Sequence, residues 1–189
     1  MTADGASARE TELLEAAYGY VTEHGFAELS LRPLAAAIGS SPRVLLFLFG
    51  SKEGLTRALL ARARADELEL LDRIRATGLA DAGRQVWSWL AAAEHRSLLT
   101  LWLEAYGRSL TEPTGPWADF AERTVRDWLG VLAAAQPAPV RDTPDGLARR
   151  TLVLAVLRGA LMDLLATGDE ERTAAAVDMH LATLDVRAN

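Results

Sequence analysis

Apolar residues recur at spacings of three and four along most of this chain, while two-residue alternation is scarce, so the pattern predicts helices and few strands. Leu13, Ala17, Tyr20, Val21 and His24 share one face of a helix predicted over about residues 8–24, and Gly25 ends it. Ser30 is placed to cap a second helix over 31–38, with Pro33 tolerated in its first turn and Gly39 closing it after two turns. Ser41 and Pro42 then form a cap and first-turn pair for a third short helix. The run from Val44 to Phe49 is continuously apolar and also fits a buried strand by pattern alone. It starts from a helix cap and has no visible partner strand, which favours helix. Ser51 caps a long fourth helix over about 52–75.

Beyond Gly78 the pattern stays helical, over about 82–94, 97–110, 117–135, 146–167 and 170–186. The breaks are Thr111 to Pro116 and the proline-rich stretch from Gln136 to Gly146. The fold class expected is therefore all-α, with nine helices.

Residues 30–49 have the internal geometry of a helix-turn-helix. Ala35 offers a small residue where two helices cross steeply, and Gly39 suits a turn that needs positive φ. Leu34, Ile38, Leu45 and Leu48 are spaced to lock the pair onto the first helix. That leaves Ser41, Pro42, Arg43, Val44 and Phe47 to face a DNA major groove. Charge sharpens this reading. The formal net charge is −6, which by itself disfavours a polyanionic partner. Residues 30–62, however, carry Arg32, Arg43, Lys52, Arg57 and Arg62 against Glu53 alone. One basic window in an acidic protein points to a local anionic ligand.

The run Leu14-Glu-Ala-Ala, Gly25-Phe26, Ser30-Leu-Arg-Pro-Leu-Ala, Ile38-Gly39 and Phe49-Gly-Ser-Lys-Glu-Gly-Leu55 resembles the N-terminal domain of TetR-family transcriptional regulators. The resemblance implies a DNA-binding domain over residues 1–55 and a helical effector-binding and dimerisation domain over 56–189. It implies phosphate contacts at Ser30 and Arg32, groove contacts at Ser41, Arg43 and Val44, and a phosphate clamp at Lys52 on a helix N-terminus. Many family members carry tyrosine and histidine where this chain has Leu46 and Leu48, and leucine cannot hydrogen-bond phosphate.

All five tryptophans lie between Trp87 and Trp128. Core packing accounts for several of them. In the family, though, the corresponding helices enclose an effector pocket, and Trp87, Trp102, Tyr106, Trp117 and Trp128 are the candidate walls for an apolar or planar ligand. Glu104 and Arg108 read as a solvated i,i+4 ion pair, and His95 as either a helix-end cap or a ligand contact. The helices over 146–167 and 170–186 have more apolar surface than one small domain covers. Val153, Leu157, Leu161, Val177, Leu181 and Leu184 are therefore the candidate interface of a homodimer, which the family resemblance also implies.

Several function classes recede. The chain has no cysteine, hence no disulfide and no thiolate metal site. No signal peptide opens it, and its most apolar stretch, 151–167, contains Arg158 and Asp163, so no membrane partner is expected and the cytoplasm is. No catalytic triad order, metal-ligand cluster, phosphate loop or carboxylate pair supports an enzyme, and no cofactor is expected. The function expected is a repressor that leaves a pseudo-palindromic operator when a small molecule binds. The alternative is a helical small-molecule-binding protein that has lost specific DNA binding.

Overall fold

The computed structural model describes residues 3–185, and among these it contains ten α-helices and no strand. They are α1 (Ala3–His24), α2 (Leu31–Ala37), α3 (Pro42–Phe49), α4 (Lys52–Arg73), α5 (Leu79–Ala91), α6 (Arg96–Thr111), α7 (Phe120–Ala134), α8 (Ala138–Arg141), α9 (Pro144–Thr167) and α10 (Glu170–Asp185). The all-α expectation holds, and the run Val44–Phe49 is helical. The helix absent from the sequence pattern is α8, a single turn inside the proline-rich stretch. The expected end of the last helix at Val186 lies outside the described residues.

Two packed units are present. The first comprises the chain up to Glu67 together with Ser97–Ala121. Its core buries Leu13, Ala17, Tyr18 and Val21 of α1, Leu34 and Ala35 of α2, Leu45 of α3 and Leu55 and Leu59 of α4. Leu101 and Ala105 of α6 and Trp117 complete it. Packing therefore divides inside α4, and α6 packs with the N-terminal helices.

The second unit comprises Leu68–Arg96 and the chain from Glu122 onward, where α5, α9 and α10 pack on one another. Gly83 of α5 lies close against Leu181 of α10: a Cβ there would stand 2.6 Å from a leucine methyl, so that side chain would have to shift. The turn of α8 is held by polar contacts. The buried Gln136 amide donates to Gly146 O at 2.8 Å, and Arg141 Nε donates to Ala133 O at 3.0 Å.

This packing corrects the expected dimer contacts. Val153, Leu157, Leu161, Val177 and Leu181 are at most 2% exposed within one chain, and Leu184 is half-buried. Side chains already enclosed cannot meet a partner without unfolding. Because α9 is apolar on most of its circumference, periodicity showed its faces without showing which one points inward. The outward face of α9 carries Ala148, Leu152, Ala155, Gly159, Met162 and Ala166, all exposed and spaced alternately by four and three. On α10, Ala175, Met179 and Ala182 repeat that spacing, with Met179 75% exposed.

Candidate nucleic-acid interface

Helices α2 and α3 are inclined at 103° to each other, within the range of about 90–120° usual for a helix-turn-helix. Ala35 lies buried at their junction, and Ser40 N donates to its carbonyl at 2.8 Å. Gly39 occupies the turn at φ +63°, where a side chain would be strained. The start of α3 is fixed by Ser41, whose hydroxyl accepts from Val44 N at 3.3 Å. Ser51 does the same for α4, accepting from Gly54 N at 2.9 Å. Ser30 stands at the N-cap of α2 but makes no side-chain capping bond.

Only Leu45 of α3 is fully buried; Arg43, Val44, Leu46 and Phe47 are exposed. Around the helix these four span the arc opposite Leu45, with Arg43 and Phe47 at its centre. The cations of the basic window differ in freedom. Arg32, Arg43 and Lys52 are exposed and make no ion pair among the described residues. Arg57 stands at 4.0 Å from Glu53, both exposed. Arg62 is engaged by its own chain. Its Nε donates to Glu15 at 2.7 Å, it bonds Asp66, and it lies over the Tyr18 ring at 4.9 Å. Bonds to Glu15 and Asp66 raise its pKa further, so it stays charged. Burial, then the bond its hydroxyl donates to Asp66, pushes the Tyr18 phenol up. Lys52 is the first residue of α4, where free backbone amides and the helix dipole add positive potential. Arg32, Arg43 and Lys52 thus stand in the first turns of α2, α3 and α4 with no ion pair among the described residues.

The sequence of residues 13–59 matches the family described as bacterial regulatory proteins, tetR family. That match spans α2 and α3 with the adjoining parts of α1 and α4. No curated protein matches the chain. Solved structures share the TetR-type fold over nearly the whole length. One is a transcriptional regulator from Rhodococcus sp. Rha1, 20% identical, with a TM-score of 0.77 over 92% of this chain and 94% of that one. A TetR transcription regulator from Haloarcula marismortui is 17% identical, with a TM-score of 0.76 over 95% and 98%. The multidrug binding protein EbrR, complexed with proflavin, is 22% identical, with a TM-score of 0.66 over 91% and 99%.

The N-terminal helices are tied to α6 by a contact that sequence reasoning missed. Phe26 N, in the turn after α1, donates to Glu104 Oε2 at 2.7 Å. Arg108 Nε donates to the other oxygen of Glu104 at 3.3 Å and its guanidinium lies 5.0 Å above the Trp117 ring. Trp117 in turn meets Phe26 edge-on at 5.0 Å. Gly25 leaves room for the carboxylate: a Cβ there would stand 3.1 Å from Glu104 Oε2, and its φ of +79° also disfavours a side chain. Glu104 and Arg108 are therefore not the solvated pair expected, because a partner 78 residues away in sequence draws them into the fold. Glu104→Ala strands the Phe26 amide and is expected to cost about 1–2 kcal/mol. Urea denaturation checks this, with Glu104→Gln retaining part of the loss because its carbonyl still accepts.

The candidate ligand residues fall in different surroundings. Trp102 and Tyr106 are half-buried, with ring centroids 5.1 Å apart. Trp117 packs in the core of the N-terminal unit, whereas Trp87 and Trp128 are buried in the second unit; each of the three is only 6% exposed. His95 is a helix-end cap: its Nδ1 bonds Trp89 O at 2.9 Å, and its ring stacks on the Trp89 ring at 4.0 Å.

Proposed function

We propose that this chain is a cytoplasmic, homodimeric transcriptional repressor that binds a pseudo-palindromic operator and leaves it when a small apolar or aromatic effector binds. Residues 1–55 carry DNA recognition, and residues 56–189 carry effector binding and dimerisation. The observation that supports DNA binding most is the exposed α3 with Arg32, Arg43 and Lys52 unpaired around it in a TetR-type domain. Ser30 and Arg32 contact phosphate at the start of α2, Ser41, Arg43, Val44 and Phe47 enter the major groove, and Lys52 clamps the backbone.

Two-fold symmetry presents two α3 helices to half-sites about one helical turn or slightly more apart. The dimer face is the outward stripe of α9, Leu152, Ala155, Gly159 and Met162, joined by Ala175, Met179 and Ala182 of α10. Small residues at alternating spacings of four and three let paired helices approach closely. Selection of bound duplexes from a random DNA pool tests the function. A two-fold symmetric consensus is expected; recovery of unrelated sequences would contradict it and favour a ligand carrier without specific DNA binding.

Effector binding is supported by the half-exposed Trp102–Tyr106 pair, a planar surface beside which an aromatic molecule can stack. EbrR, of similar fold, holds proflavin, a planar aromatic compound, which makes proflavin a practical first probe. A ligand shifts DNA affinity only by its differential affinity for the two conformations. Proflavin or a related compound is expected to quench tryptophan emission and weaken operator binding about fivefold or more over one concentration range. Trp102→Ala should abolish both effects, and Trp128→Ala should disturb them less. Quenching without any change in operator affinity would leave a binding site uncoupled from DNA.

A further inference from the structure

The outward arc of α3 is unusually apolar for a surface that meets DNA. Of its four exposed positions, Val44, Leu46 and Phe47 are 38%, 41% and 76% exposed, and Arg43 alone can hydrogen-bond. An exposed phenylalanine flanked by two aliphatic side chains forms a small apolar patch that gains by being covered. Arg32, Arg43 and Lys52, in the first turns of α2, α3 and α4 and without an ion pair among the described residues, select a polyanion over an apolar protein surface or a second copy of an acidic chain.

Base edges in the major groove differ in what they lose against such a surface. Adenine, guanine and cytosine present donors or acceptors that would be desolvated without partners, at a cost. Thymine alone of the four bases adds an apolar group, its C5 methyl, which gains by contact with aliphatic or aromatic carbon. Arg43, at the centre of the same arc, has the bidentate geometry suited to guanine O6 and N7. Resting on the reading of α3 as the groove-entering helix, we propose that this protein reads thymine by its methyl group, with Phe47 at the centre of the contact and Val44 and Leu46 beside it. Each operator half-site then holds thymines next to one guanine read by Arg43. Leu46 and Leu48, which cannot bond phosphate as the family's tyrosine and histidine do, fit this use of α3: the first adds to the methyl-reading surface and the second is half-buried beneath it.

The decisive experiment removes methyl groups and nothing else. The operator obtained by selection is resynthesised with deoxyuridine in place of thymidine at the half-site positions, and binding is measured by fluorescence anisotropy at fixed salt. The expected loss is about fourfold per contacted methyl, the size of one buried methyl group. Phe47→Ala, whose fold is checked by its far-UV spectrum and melting curve, should weaken the thymine operator strongly and the uracil operator hardly at all. Phe47→Leu should recover much of the thymine preference. Equal binding of thymine and uracil operators, or an equal loss from Phe47→Ala on both, would overturn the proposal while leaving specific DNA binding intact. Failure to select any sequence at all would overturn the proposed function along with it.

Discussion

Met179→Glu is expected to give a folded monomer, whereas Leu181→Glu is expected not to fold. The two residues lie two apart on α10 but face opposite ways. Leu181 is fully buried, its methyls against Gly83 of α5. Truncating such a leucine costs about 2–5 kcal/mol, and placing a carboxylate in the same position adds its desolvation. The total is comparable with the stability of a typical domain, about 5–15 kcal/mol. Met179 is 75% exposed in the single chain, so a glutamate there stays solvated and changes intrinsic stability by about 0.5 kcal/mol or less. In a dimer built on the outward stripe, the same glutamate would bury charge between protomers. Light scattering should find the parent at twice the chain mass and Met179→Glu at the chain mass. A folded double variant, Leu152→Glu with Met179→Glu, that stayed dimeric would show that the interface lies elsewhere.

Arg43→Ala and Lys52→Ala should both weaken operator binding, but in different ways. Arg43 is exposed, makes no ion pair among the described residues and is central on the outward arc of α3. Losing a bidentate base contact costs about 1–3 kcal/mol on the preferred site and relaxes the preference there. Lys52 begins α4, beside free amides, and meets only the phosphate backbone in this account. Its loss should weaken preferred and random duplexes alike and make the salt dependence shallower by about one phosphate per protomer. Competition titrations with operator and scrambled duplexes separate the two outcomes. A loss of discrimination from Lys52→Ala, with Arg43→Ala silent, would reverse the two roles.

Much of this was legible in the sequence because short-range signals agree. Ser41 followed by Pro42 decides the apolar run Val44–Phe49 in favour of helix, and Ala35 with Gly39 forecasts the steep turn. The basic window is legible too, although only the structure separates Arg32, Arg43 and Lys52 from Arg62, which α1 and α4 hold between them. What was missed depends on contacts distant in sequence. The pairing of Glu104 with Arg108 follows from a spacing of four, but its bond to Phe26 N joins residues that no local pattern relates. Similarly, α8 has two prolines at its edge and is held by Gln136 and Arg141, whose partners lie outside it. The apolar stripes of α9 and α10 are legible in the periodicity, but both are apolar, and only packing tells the inner one from the outer.

The account stands on α3 and its surrounding cations binding DNA specifically, and a salt series on the selected operator tests this most directly. With three or four available cations in each protomer, a dimer engages roughly six to eight phosphate charges, so log K against log salt should fall with a slope of about −5 to −7. At every salt concentration the operator should bind far more tightly than a scrambled duplex of equal length. A scrambled duplex that bound as tightly as the operator, or a slope near zero, would contradict it.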